Sequence, residues 1–183
     1  MLTYRVPPEP TRFRTYIWRQ VKAFGCLHLQ QAVWLLPDTP GLNSEFRKLV
    51  SKIEEFGGEA SLLTTVSPDS EWETKVIAGF NAIRDEEYAE IEENGERFED
   101  EVNRETRKEK FTFAELEDLE ADWEKLKRWK AKVQERDFFD APGRQEAEAR
   151  VAEGAKLLEG FTRKVYEREG MEGPVVRKDD PGK

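Results

Sequence analysis

The spacing of apolar residues changes once along this chain, near residue 67, and no other feature restricts the possible folds as much. Before that point, short stretches with a period of two alternate with stretches of helical period, each closed by glycine. "LTYRV" (2–6) places Leu2, Tyr4 and Val6 on one face, as a half-buried strand does. "PPEP" breaks it, and Thr11 is placed to cap a helix running to Phe24, with Phe13, Ile17, Val21 and Phe24 at helical spacing and Gly25 at its end. "CLHL" and "AVWLLP" then read as strands joined by a tight break or bulge at Gln30 and Gln31. A helix over roughly Leu42 to Phe56 and a strand in "EASLLTTV" complete the order β-α-β-β-α-β. The order predicts a ferredoxin-like α+β domain over 1–66, with helices on one sheet face and the other left for a partner.

From Ser67 the pattern predicts a three-helix antiparallel bundle over 67–169. The first helix spans about Ser70 to Arg107, with Trp72, Val76, Phe80, Ile83, Ile91, Phe98 and Val102 on one stripe and a bend at Gly95. Thr112 and Glu115 form a T-x-x-E capping box, with Phe111 and Leu116 as its hydrophobic staple, and Leu116, Leu119, Trp123, Leu126 and Val133 follow. Pro142 suits the first turn of a third helix that buries Val151, Leu158, Phe161 and Val165 and ends near Glu169. Residues 170–183 have no periodicity and read as a flexible tail.

Charge divides at the same place. Residues 1–66 carry eight basic and six acidic side chains, while the remainder carries twenty-two and thirty-three. The overall charge of −9 argues against broad polyanion affinity but leaves room for a local basic face. That face falls on the first helix, where Arg12, Arg19 and Lys22 share one wedge opposite the apolar stripe and Arg14 and Trp18 border it. Such a face contacts phosphates without reading sequence, or simply keeps a helix soluble; the residues leave both open.

Other chemistries find little footing. A nucleophilic triad needs a positioned base, and the chain has one His, His28. Cys26 and His28 lie two apart on a strand, which is short of a structural zinc site, and a single cysteine forms no intrachain disulfide. The acidic run "RDEEYAEIEENGERFEDE" lacks the Glu-x-x-His pairs of di-iron bundles and reads as a solvated face. No phosphate-binding glycine motif is present, so no cofactor and no metal are expected. No apolar run reaches about 18 residues and no signal peptide opens the chain, so a cytoplasmic protein without a membrane partner is expected.

The stretches "TYRVPPEPTRFRTYIWRQVKAFGCLHLQQAVWLLP", "FNAIRDEEYAE", "KFTFAELEDLEADWEKLKRW" and "RDFFDAPGR", in this order, resemble the amino-terminal domain of the chromate-resistance regulator ChrB. The resemblance implies a non-enzymatic, cytoplasmic transcription regulator whose partners are operator DNA and chromate as effector. Larger members of that family carry a further carboxy-terminal domain, which this sequence does not show. Residues 1–66 also resemble the ferredoxin-like domain of PaaX repressors and the small subunit of CRISPR spacer acquisition. In nuclease-active members of that group an Asp follows the first-strand Tyr, where this chain has Arg5, so the resemblance does not carry nuclease chemistry over intact. The group dimerises through its sheets, which implies a homodimer and a sheet-edge role for Gln30 and Gln31. On this reading Arg12, Arg14, Arg19 and Lys22 contact DNA, and Arg5 is a charge-assisted donor for an oxyanion. The competing expectation is a protein-interaction or dimerisation module that never touches DNA; a metal-dependent nuclease is the third.

Overall fold

The structure, a computed structural model, describes residues 1–171. Among the described residues it is an α+β chain with a four-stranded antiparallel sheet and five helices. In chain order these are β1 (Leu2–Arg5), α1 (Thr11–Ala23), β2 (Leu27–Gln30), β3 (Val33–Leu35), α2 (Pro40–Glu55), β4 (Glu59–Leu62), α3 (Ser70–Arg107), α4 (Phe113–Gln134) and α5 (Arg144–Arg168). The chain forms two compact units. One holds Met1–Glu86 with Gln134–Pro142; the other holds Glu87–Val133 and the described residues from Gly143 on.

In the first unit the strands lie in the order β2-β3-β1-β4, so β1 and β3 are central and β2 and β4 are edges. Leu2 stands opposite both Trp34 and Leu62, and Arg5 opposite Glu59. Period-two alternation sends Leu2 and Trp34 into a core with Ile17, Val21, Phe46, Leu49 and Ile53 from α1 and α2. Full burial of each such side chain stabilises by about 1.5–3 kcal/mol. Both helices end in the same device. The N–H groups of Gly25 and Cys26 donate to Lys22 O and Val21 O, those of Gly57 and Gly58 to Glu54 O and Ile53 O, and Gly25 and Gly57 take positive φ.

Several expected details shift. Thr11 is the first helical residue of α1, not its cap; Pro10 is the cap residue and no side chain closes that end. α2 starts earlier than Leu42, because the Thr39 hydroxyl accepts from Leu42 N–H and Pro40 fills the first position, where its missing N–H costs nothing. β4 stops at Leu62, where the ladder with β1 reaches the first residue of that strand.

In the second unit α4 buries Leu116, Leu119, Trp123, Leu126 and Val133, and α5 buries Val151, Leu158, Phe161 and Val165. Glu115 N–H donates to Thr112 Oγ1, as a capping box requires, but the Glu115 carboxylate goes to Lys110 Nζ at 3.0 Å, and the Phe111 ring faces Phe161. α3 runs continuously through Gly95, where a bend was expected. A Cβ there would lie 2.5 Å from Arg150 Cγ, so the glycine admits the Arg150 side chain, which reaches Glu96 and Glu99. Pro142 precedes the cap residue Gly143 and lies outside α5. Of the expected tail, 172–183 lie outside the described residues. No helix among the described residues is long and apolar enough to cross a membrane.

Candidate nucleic-acid interface

α1 is held from beneath by aromatic stacking. The Phe13 ring lies parallel to Phe56, 4.0 Å between centroids and 5° between planes, and Phe24 meets Phe46 at 5.5 Å. Ile17 and Val21 are completely buried between these two anchors. Every apolar position of the helical stripe is thereby used, and the opposite face turns to solvent.

That face carries the cations. Arg12, Arg14, Arg19 and Lys22 are all exposed, and among the described residues none makes an ion pair. Arg12 lies over the Phe13 ring at 5.4 Å, and Arg14 Nη2 donates to Pro8 O at 3.0 Å, which leaves both charges uncancelled. Among the described residues, many basic side chains outside α1 lie against a carboxylate. Lys48 meets Glu45, Lys52 meets Glu55, Arg97 meets Glu93, and Arg104, Lys108 and Lys110 converge on Glu105. Lys22, in the last turn of α1, also complements the negative end of the helix dipole. Two aromatics share the exposed surface: Trp18 is 52 % exposed and Tyr16 is 39 % exposed, with Tyr16 edge-on to Phe56 at 5.6 Å.

The remaining expected positions are separate from this face. Arg5 Nη2 donates to Glu59 Oε1 at 3.1 Å across the β1–β4 pair, with both side chains about four-fifths exposed. An oxyanion at Arg5 therefore competes with a carboxylate already in place. Gln30 and Gln31 lie at the turn between edge strand β2 and β3. The ladder slips between His28 and Gln30, and Gln31 adopts φ 45°; the expected tight break is present but one residue later than Gln30 and Gln31, because Gln30 stays in β2 paired with Val33 and the turn falls at Gln31 and Ala32. His28 Nε2 hydrogen-bonds Gln31 O at 2.6 Å while its ring leans on Trp34, so the imidazole holds the turn. Cys26 is 2 % exposed, and burial pushes its thiol up to about 12, far from a reactive thiolate.

One feature of the first unit carries no short sequence motif. A cleft of about 510 Å³ is walled by Leu35, Leu62, Val76, Phe80 and Phe139, with Leu63, Val66 and Trp72 exposed around it. Phe139 comes from the 134–142 segment, which returns to the first unit and sets its ring 5.3 Å from Phe80. The paired aromatics of "RDFFD" were the available signal, and they read only as a turn. The same segment explains Gly25 a second time: a Cβ there would lie 2.7 Å from Arg136 Cβ.

The model of the family described as "Protein ChrB, N-terminal" matches residues 14–172. The chain belongs to the ChrB N-terminal family. Protein ChrB of Cupriavidus metallidurans is 30% identical over 90 residues, which are 49% of this chain and 27% of that protein. The match thus spans about a quarter of the ChrB relative's length. No solved structure matches the chain. The ChrB match begins at Arg14, within α1, and includes Arg14, Arg19 and Lys22 of the basic face.

Proposed function

We propose that this ChrB-family chain is a cytoplasmic, non-enzymatic regulator of chromate resistance that binds DNA through the exposed face of α1. Its sheet order, β2-β3-β1-β4, with α1 and α2 packed on one face, supports a ferredoxin-like domain over 1–66, followed by long helices over 67–169. One observation carries the reading. In a chain of net charge −9, where many described cations outside α1 lie against a carboxylate, all four cations gathered on the one short face of α1 have no ion pair among the described residues. Uncompensated charge on one short surface gives a phosphate backbone its largest favourable term, the release of condensed counterions.

The test is a mobility shift with DNA from upstream of the chain's own gene, comparing wild type with an Arg12→Ala, Arg19→Ala double variant. Two lost phosphate contacts should weaken binding about 30-fold at 0.15 M salt. Equal binding by the double variant removes α1 as the interface. Chromate is proposed as effector, with Arg5 as the donor it meets.

A second reading, a dimerisation module that does not contact DNA, is favoured by the exposed Leu63, Val66 and Trp72 beside the cleft. Gln30 at the end of edge strand β2 and Gln31 in the turn after it would then contact a second copy. Sedimentation of a Val66→Glu, Trp72→Glu variant separates the two readings: loss of a dimer with DNA affinity intact places the dimer contact there and leaves α1 to DNA.

A further inference from the structure

Trp18 is half exposed on α1 and makes no ring contact, cation contact or hydrogen bond among the described residues. The other four tryptophans differ. Trp34 and Trp123 are buried, Trp129 is half-buried, and Trp72 has the Lys75 ammonium over its ring at 5.8 Å. Nothing in the fold requires an indole at position 18, because Ile17 and Val21 already close the core beneath it. Leaving it exposed forgoes burial that would otherwise stabilise the chain.

Its neighbours indicate what it meets. Arg14 and Lys22 stand four residues before and after, one helical turn away on the same side, about 6 Å along the axis in each direction. The charges select a polyanion, yet an indole gains little from phosphate oxygens. Its flat apolar face gains from another π face. In an intact duplex those faces are hidden in the stack; in a single strand, or at an unstacked step, they are free.

We infer that Trp18, between Arg14 and Lys22, stacks on an unpaired nucleobase, so that this surface takes single-stranded or locally unstacked DNA in preference to intact duplex. The inference rests on α1 being the nucleic-acid surface. Arg14 and Lys22 hold the backbone on either side while the indole takes the base between them.

Fluorescence anisotropy with a labelled 20-nucleotide oligo(dT) and a labelled 20-base-pair duplex, over the same series of salt concentrations, tests it. The wild type should bind the single strand more tightly. Trp18→Ala should weaken that binding about 5- to 150-fold with the salt dependence unchanged, and Trp18→Phe should retain most of it. Trp18→Ala binding the oligonucleotide as well as wild type overturns the inference. If Arg12→Ala, Arg19→Ala still weakens binding in that case, the basic surface stands and stacking alone fails. Absence of wild-type binding to either probe overturns the inference together with the proposed function. A Trp18→Ala variant that loses self-association but keeps its affinity for the oligonucleotide overturns it in favour of a protein contact.

Discussion

Replacing Gly25 by alanine should damage the first unit far more than its small change in volume suggests. Gly25 sits at φ 75°, where a side chain costs about 1–2 kcal/mol. An added Cβ would also stand 2.7 Å from Arg136 Cβ, an atom next to the backbone that cannot swing aside. Overpacking of that kind adds about 1–3 kcal/mol. The reduced freedom of the unfolded chain returns about 0.4–1 kcal/mol, which leaves a net loss of about 2–4 kcal/mol. Gly160→Ala is the control, because Gly160 lies inside α5 with nothing within 4 Å of its added Cβ. There alanine should stabilise by about 1 kcal/mol. In urea unfolding followed by circular dichroism, the Gly25→Ala midpoint should fall by about 1–2 M and the Gly160→Ala midpoint should rise slightly. Midpoints that shift in the same direction by similar amounts would refute the claim that the α1 turn is closed by a left-handed residue against the 134–142 segment.

Three other outcomes follow from the same geometry. With its thiol at about 12, Cys26 is thiolate in only about one molecule in ten thousand at pH 8, so a disulfide reagent should label it at least about 100-fold more slowly in the native state than in urea; equal rates would show the site is open. The Glu105 carboxyl is held down to about 2 by hydrogen bonds from Arg104 and Lys108, against an ordinary 4.5. Its stabilisation is complete above 4.5 and is lost as pH falls toward 2, so the stability gap between wild type and Glu105→Gln should close over that interval, and a constant gap would contradict the clasp. Glu59→Gln should raise chromate affinity a few-fold by releasing Arg5 from an exposed pair of roughly 0–1 kcal/mol, and Arg5→Ala should abolish it; calorimetric titration showing Arg5→Ala unchanged would dismiss Arg5 as the oxyanion donor.

Much of the architecture was legible because local signals agreed with one another. Apolar spacing placed all five helices, the bounds of α3 match the expected Ser70 to Arg107, and the glycines after α1 and α2 marked true left-handed ends. The wheel of α1 placed its cations on the face that proves exposed. What stayed hidden depends on distant partners. Nothing local to Phe139 says that its ring reaches Phe80, or that 134–142 returns to the first unit. Trp72 fits the helical stripe yet is 40 % exposed, because periodicity gives a residue's face and not what covers it. Tyr88 and Glu105 are buried without having been expected to be, Glu105 because Arg104, Lys108 and Lys110 surround it.

The salt dependence of DNA binding tests the central claim most directly. If Arg12, Arg14, Arg19 and Lys22 each displace counterions from a phosphate, log K should fall with log salt at a slope of about −3.6, and each alanine substitution should lessen that slope by about 0.9. A slope that the Arg12→Ala, Arg19→Ala variant leaves unchanged would contradict the account.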